Sequence, residues 1–244
     1  MAWGTLKVLA VVPARGGSKG IPRKNLCQVG GRSLIAHAAA TVKALPWIDH
    51  AIISTDDAAM LEEGKQYGLD APFLRPSNLA QDTTTAVDTW RHAWLASEAV
   101  YNCQFDLSVW LQPTTPLRAP EEVERTVQAL VEGHHQAAAT ISRVPGHFTP
   151  QKILTVDDQH LIHYYLQDGA QHTGRQTIPA YYYRNGICYA VTRATLIDKG
   201  LIIEQDCVGV LIDRPILNID EPLELALADL LASQSSDQAS SRPG

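Results

Sequence analysis

The stretch Pro13-Ala14-Arg15-Gly16-Gly17-Ser18-Lys19-Gly20-Ile21-Pro22-Arg23-Lys24-Asn25 packs three glycines and four cations into one loop. Glycines let backbone N–H groups turn inward around an anion, and Arg15, Lys19, Arg23 and Lys24 bring charge to the same place. This is the chemistry of a polyanion cradle. The bland alternative is a solvated basic turn, but the whole chain carries a net charge of −6, so a local excess of cations stands out. The spacing matches neither G-x-x-x-x-G-K-[ST] nor G-x-G-x-x-G, which argues against a Walker-type loop and against a dinucleotide-dependent dehydrogenase.

Around this loop the chain must supply a frame. With 244 residues, 45% hydrophobic and 19% charged, it is long and apolar enough for one large domain with a substantial core. The acidic balance argues against a general nucleic-acid binder. Residues 6–12, apolar throughout 8–12, form a run of strand length, which is too short to span a bilayer and lacks a cleavage site. It reads as a buried parallel strand, so the glycine loop falls at a sheet's carboxyl edge, where open α/β folds bind ligands. No other stretch is long and apolar enough for a membrane span, and Cys27, Cys103, Cys188 and Cys207 lie far apart, so a cytoplasmic, reducing location is expected.

Further elements follow from periodicity and end signals. Helices are predicted over 33–45, 58–67, 85–100, 120–132 and 221–232, the last with Leu223, Leu227, Leu230 and Leu231 inward. Strands are predicted over 51–54, 107–111, 186–191 and 208–212. Thr85 and Asp88 stand at capping-box spacing, and Pro120 with Glu121 and Glu122 marks a helix start. The alternation predicts an α/β fold with a doubly wound, mostly parallel sheet and helices on both faces. Between about 142 and 184 the pattern gives way to aromatic, His-rich pieces punctuated by prolines, read as an inserted strand-rich arm within a single domain of 1–232. Residues 233–244 read as a disordered tail.

The glycine loop, A-R-G-G-S-K-G-I-P-R-K-N here, resembles the signature of the acylneuraminate cytidylyltransferases, the CMP-sialic acid synthetases and their relatives. Three further stretches are similar to the same family: Ser54-Thr55-Asp56-Asp57, Leu74-Arg75-Pro76-Ser77-Asn78-Leu79-Ala80-Gln81-Asp82-Thr83, and Leu111-Gln112-Pro113-Thr114-Thr115-Pro116-Leu117-Arg118. With Asn185-Gly186 and Asn218-Ile219-Asp220, the resemblance covers about 7–230. It implies a nucleotide-diphospho-sugar transferase-like fold, a dimerisation arm pairing two copies, and transfer of CMP from CTP to the anomeric hydroxyl of a nine-carbon 2-keto sugar acid such as a sialic acid. Such a reaction is driven by positioning and by cations and Mg²⁺ around the phosphates.

By the same resemblance, Arg15 and Lys24 are the catalytic cations on the triphosphate. Ala14, Gly16, Gly17, Ser18, Lys19, Gly20, Asn25, Arg75 and Asp82 complete the nucleotide site. Gln112, Arg184 and Asn185 hold the sugar acid, and Asp220 with Asn218 holds Mg²⁺. Two features depart from the family pattern. The usual R-P-N-G reads Tyr183-Arg184-Asn185-Gly186, and the usual D-x-D reads Asn218-Ile219-Asp220. An Asn carbonyl offers Mg²⁺ an oxygen without charge. Arg118 is left with two readings, an anion ligand or a loop cap. Tyr181, Tyr182 and Tyr183 are left between the sugar pocket and a subunit contact, the resemblance favouring the contact. Trp90, Trp94 and Trp110 are read as core, His134 and His135 as exposed, and Cys27 as packing. The rival readings are a nucleotidyltransferase for another acid, such as 3-deoxy-octulosonate, and a non-catalytic nucleotide binder.

Overall fold

A computed structural model of the chain describes residues 6–172, 174, 176 and 178–240, without side chains for 235–240. Its centre is a six-stranded sheet in the order β10-β6-β9-β5-β1-β4. These strands are β1 (Val8–Pro13), β4 (His50–Ser54), β5 (Leu107–Trp110), β6 (Ala137–Arg143), β9 (Tyr182–Thr192) and β10 (Cys207–Leu211). All run parallel except β9, which pairs antiparallel with both β5 and β6. The mostly parallel sheet expected from the alternation is therefore present.

The strands alternate their faces into two cores. Val8, Ala10 and Val12 point to one side, where they meet α1 (Leu34–Lys43), α2 (Ala58–Gln66) and α4 (Pro120–Glu132) through Ile35, Met60, Val123 and Val127. Leu9 and Val11 point to the other, against Trp90 and Trp94 of α3 (Ala86–Tyr101). Both tryptophans are fully buried, each with its indole N–H satisfied, by Ser108 Oγ at 2.8 Å and Glu98 Oε1 at 2.9 Å. The helix starts behave as their residues dictate. Asp57 accepts the N–H groups of Ala59 and Met60, Thr85 accepts that of Asp88, and Glu122 reaches back to the N–H of Ala119.

Several expectations are corrected. β6 was not anticipated, because Ala137-Ala138-Ala139 carries no β-branched or alternating signal; burial between β9 and β10 makes it a strand. β9 begins at Tyr182, not 186, and carries a bulge around Asn185, where the register with β6 shifts. The last helix, α5 (Pro222–Ser240), runs through much of the expected tail, since Ala, Ser and Gln contain no helix breaker; 241–244 lie outside the described residues. Its inward residue is Ala228, flanked by Leu225 and Ala232, so the predicted stripe is reversed and Leu223, Leu227, Leu230 and Leu231 face outward. A stripe at helical spacing exists on both sides of α5, and the hairpin of β2 (Gln28–Val29) and β3 (Arg32–Ser33), together with Ile21, Leu34 and Ile219, covers one of them. His134 is exposed as expected, whereas His135 is partly buried, its Nδ1 2.6 Å from Asp206.

Within 142–184 stands a two-stranded hairpin, β7 (Leu154–Val156) and β8 (Ile162–Tyr164), every residue of which is exposed. Phe148, Val156, Ile162 and Tyr165 are each more than 60% exposed, which makes this the most apolar outer surface of the arm.

Candidate active site

Because β1, β4 and β5 are parallel neighbours, their carboxyl ends open onto one cleft of about 520 Å³. β1 delivers the glycine loop, β4 delivers Thr55-Asp56-Asp57, and β5 delivers Gln112. The loop is pinned to β4 by two bonds: Ala14 N–H donates to the Ser54 carbonyl, and Gly16 N–H donates to Asp56 Oδ1 at 2.9 Å. The amide of Asn25 holds the Arg15 carbonyl from the other side at 3.2 Å. Among the described residues, the N–H groups of Gly17, Lys19 and Gly20 find no protein acceptor, so they remain open to an anion.

The charges are arranged in depth. Arg75 lies at the floor, 5% exposed, with Nε on Ser54 Oγ and Nη2 on the Ser54 carbonyl. Burial pushes its guanidinium down to about 10, with Arg15 adding to the effect and Asp56 opposing it. Among the described residues no carboxylate stands within ion-pair distance of Arg75, whose side chain is held by Ser54 alone. A buried cation without a counter-charge is costly and favours an anion arriving from the cleft. Nearer the mouth, Arg15 and Lys19 share Asp82, at 2.9 and 2.7 Å. The bond from Lys19, then that from Arg15, holds the Asp82 carboxyl below the usual carboxylate range.

A second wall comes from the far end of the chain. Lys24 Nζ donates to the Ile219 carbonyl at 2.7 Å and to Asp220 Oδ1 at 2.8 Å, joining residues almost two hundred positions apart. Ile219 N–H in turn donates to the Thr114 carbonyl. Gly20 approaches this segment so closely that a Cβ would stand 2.4 Å from the Asp220 carbonyl oxygen. Gly186 (φ 81°) backs Gln112 in the same way: a Cβ there would meet Gln112 Oε1 at 2.9 Å and Thr115 Oγ1 at 3.0 Å.

Arg15, Ser18, Lys19, Gly20, Lys24, Asn25, Arg75, Asp82, Gln112 and Asp220 all line the cleft. Ala14 is buried beneath it, and Gly16 and Gly17 belong to the loop without lining the wall. The structure does not bring Arg184, Asn185 or Asn218 to that wall. Arg184 lies over the Tyr189 ring, 5.9 Å from its centroid. Asn185 is buried with its amide spent on the β9 bulge, donating to Ser142 Oγ and accepting from Ile187 N–H. Asn218 is exposed and stands at the edge of this group, on the same side of Gly186 as Gln112: a Cβ at Gly186 would lie 3.9 Å from its Oδ1. Arg118 is resolved as a cap: it is 7% exposed and donates to the carbonyls of Ile187 and Gln112. Sequence reasoning missed Thr85 and Thr89 at the start of α3, and the second role of Trp110, which packs on Trp90 while also lining the cleft. The described residues hold no group of three or more His, Cys, Asp or Glu placed to bind a metal ion by themselves. The one carboxylate on this side of the cleft, Asp220, fits a Mg²⁺ ion that takes the rest of its shell from phosphates and water.

The chain is similar along most of its length to known proteins. The chain is 29% identical to the CMP-N,N'-diacetyllegionaminic acid synthase of Legionella pneumophila, over 93% of this chain and 96% of that one. It is 23% identical to a pseudaminic acid cytidylyltransferase of Campylobacter jejuni, over 96% and 100%. The solved structure of CMP:2-keto-3-deoxy-manno-octonic acid synthetase complexed with CTP shares the fold, with a TM-score of 0.68, 19% identity, and 94% and 99% coverage. The model of the cytidylyltransferase family matches residues 9–204, from the opening strand through the glycine loop, Gln112 and β9. This chain belongs to the cytidylyltransferase family.

Proposed function

We propose that the protein transfers CMP from CTP to the anomeric hydroxyl of a nine-carbon 2-keto sugar acid, releasing pyrophosphate. The observation that carries the reading is the cleft itself: Arg75 unpaired at its floor, and open N–H groups with Arg15, Lys19 and Lys24 along its side. The names of the legionaminic and pseudaminic acid relatives support the choice of acid. The sugar oxygen forms a bond to the α-phosphorus and loses its proton, while the bond to the bridging oxygen breaks and pyrophosphate leaves. Arg15 and Lys19 neutralise the leaving phosphates, Arg75 the deeper ones, and the Gln112 amide orients the acid. Asp220, with Asn218 nearby, would hold Mg²⁺, which when bound supplies further positive charge to the phosphate oxygens.

We further propose a homodimer formed through the exposed apolar hairpin of β7 and β8, and a cytoplasmic location. Sedimentation of an Ile162→Asp variant tests the first: it is expected to run as a monomer where the parent runs as a dimer. For the reaction, the test is pyrophosphate release with CTP, UTP or GTP against sialic, legionaminic, pseudaminic and 3-deoxy-octulosonic acids. Release with CTP and a nine-carbon acid is expected. Release only with the octulosonic acid, or CTP binding with no release at all, would replace this reading with one of its rivals.

A further inference from the structure

Each cation of the glycine loop faces a carboxylate, but the three carboxylates are held differently. Asp57, opposite Arg23, is fixed by the N–H groups of Ala59 and Met60 at the start of α2. Asp220, opposite Lys24, sits on a segment tied down by Glu224 Oε2, which accepts the N–H groups of Asp220 and Glu221. The Asp82 carboxylate accepts no backbone N–H among the described residues, and its turn is closed by local bonds, Thr84 N–H to the Gln81 carbonyl and Thr84 Oγ1 to the Asn78 carbonyl. Among the described residues, only Arg15 and Lys19 donate to its carboxylate, one to each oxygen. It sits on an exposed loop, residues 80–83, that crosses from the Arg75 side of the cleft to the start of α3 and lines the cleft on the way. The carboxylate thus grips two cations through two oxygens, as a phosphate would, and does so at the mouth of the same cleft.

We propose that Asp82 is an internal competitor for the phosphate site: in the ligand-free protein it straps its loop across the cleft, and an incoming polyphosphate displaces it. The proposal rests on Arg15 and Lys19 being phosphate cations. Two anions cannot both take the inward faces of the same guanidinium and ammonium groups, so binding requires the strap to open, and its return favours departure of pyrophosphate. A residue that contacts the nucleotide would behave in the opposite sense, because its loss weakens binding.

The experiment is calorimetric titration of Mg·CTP and of inorganic pyrophosphate into the full-length protein and its Asp82→Asn and Arg15→Ala variants. Asp82→Asn keeps the shape and removes the charge. It is expected to tighten both ligands by about three- to tenfold, the scale of two partly exposed ion pairs, and to lower KM for CTP without raising kcat. Arg15→Ala is expected to weaken both ligands. Unchanged or weaker binding in Asp82→Asn, with Arg15→Ala still weakened, overturns the strap and leaves the phosphate cradle standing. Unchanged binding in Arg15→Ala overturns the cradle, and the strap with it.

Discussion

Gly20→Ala offers a quantitative test of how the site is assembled. The added carbon would lie 2.4 Å from the Asp220 carbonyl oxygen and 3.6 Å from its carbonyl carbon. An ordinary carbon–oxygen contact needs about 3.3 Å, so the glycine loop and the 218–220 segment must part by about 0.9 Å. The obstacle is backbone on both sides, and no flexible side chain can move aside. Lys24, held to Ile219 and Asp220, would lose its geometry in the same displacement. A misplacement of about 1 Å costs on the order of 10²-fold in rate, and overpacking of this kind costs about 1–3 kcal/mol of stability. The assay is pyrophosphate release alongside a thermal melt, with a loss of about 2–4 °C in Tm for each kcal/mol. Gly17→Ala is the internal contrast, since a Cβ there meets nothing within 4 Å and its φ is not in the left-handed region. Its Tm is expected to hold or rise slightly. A Gly20→Ala enzyme within about threefold of the parent in kcat/KM, on the scale just given, would refute the close-approach argument.

Other outcomes follow from the same geometry. Arg75→Met is expected to weaken CTP at least tenfold, as loss of a buried charge contact does, while Tm changes little because an apolar side chain replaces an unpaired buried cation; unchanged CTP affinity would remove Arg75 from the site. Asn218→Asp is expected to lower the Mg²⁺ concentration needed for half-maximal activity by adding a second carboxylate near Asp220, and an identical titration would remove that residue from the metal site. Burial holds His37 below its usual range, with Arg32 and Arg118 adding to the effect and the Val29 carbonyl opposing it. The unfolded chain therefore binds this proton more readily, so its contribution is complete above about pH 6.5 and is lost as pH falls through the folded value. A His37→Gln variant should lose less stability than the parent between neutral and mildly acid pH in urea titrations, and parallel curves would contradict the assignment.

Much of the frame was legible because local rules and tertiary demands coincide there. The apolar run before the glycine loop, the capping signal at Thr85 and the Pro120 start all produced the elements they announced. The anion chemistry of residues 13–25 was equally plain, since cations and glycines in one loop need no distant partner to be recognised. What pattern reading could not supply was any property that depends on which surface lands where. β6 is a strand of alanines only because β9 and β10 flank it, and α5 turns its leucines outward because a hairpin covers the opposite face.

The sequence by itself determined the succession of most strands and helices, the place of the cradle after the first strand, and the family. Only the tertiary structure decided that Arg75 is buried at the floor of the cleft, that Arg118 is a cap, and that Lys24 closes on Asp220. Periodicity, caps and glycine spacing act over a few residues and are written in the chain. Burial and charge pairing between segments as distant as 24 and 220 exist only once the sheet has brought its edges together.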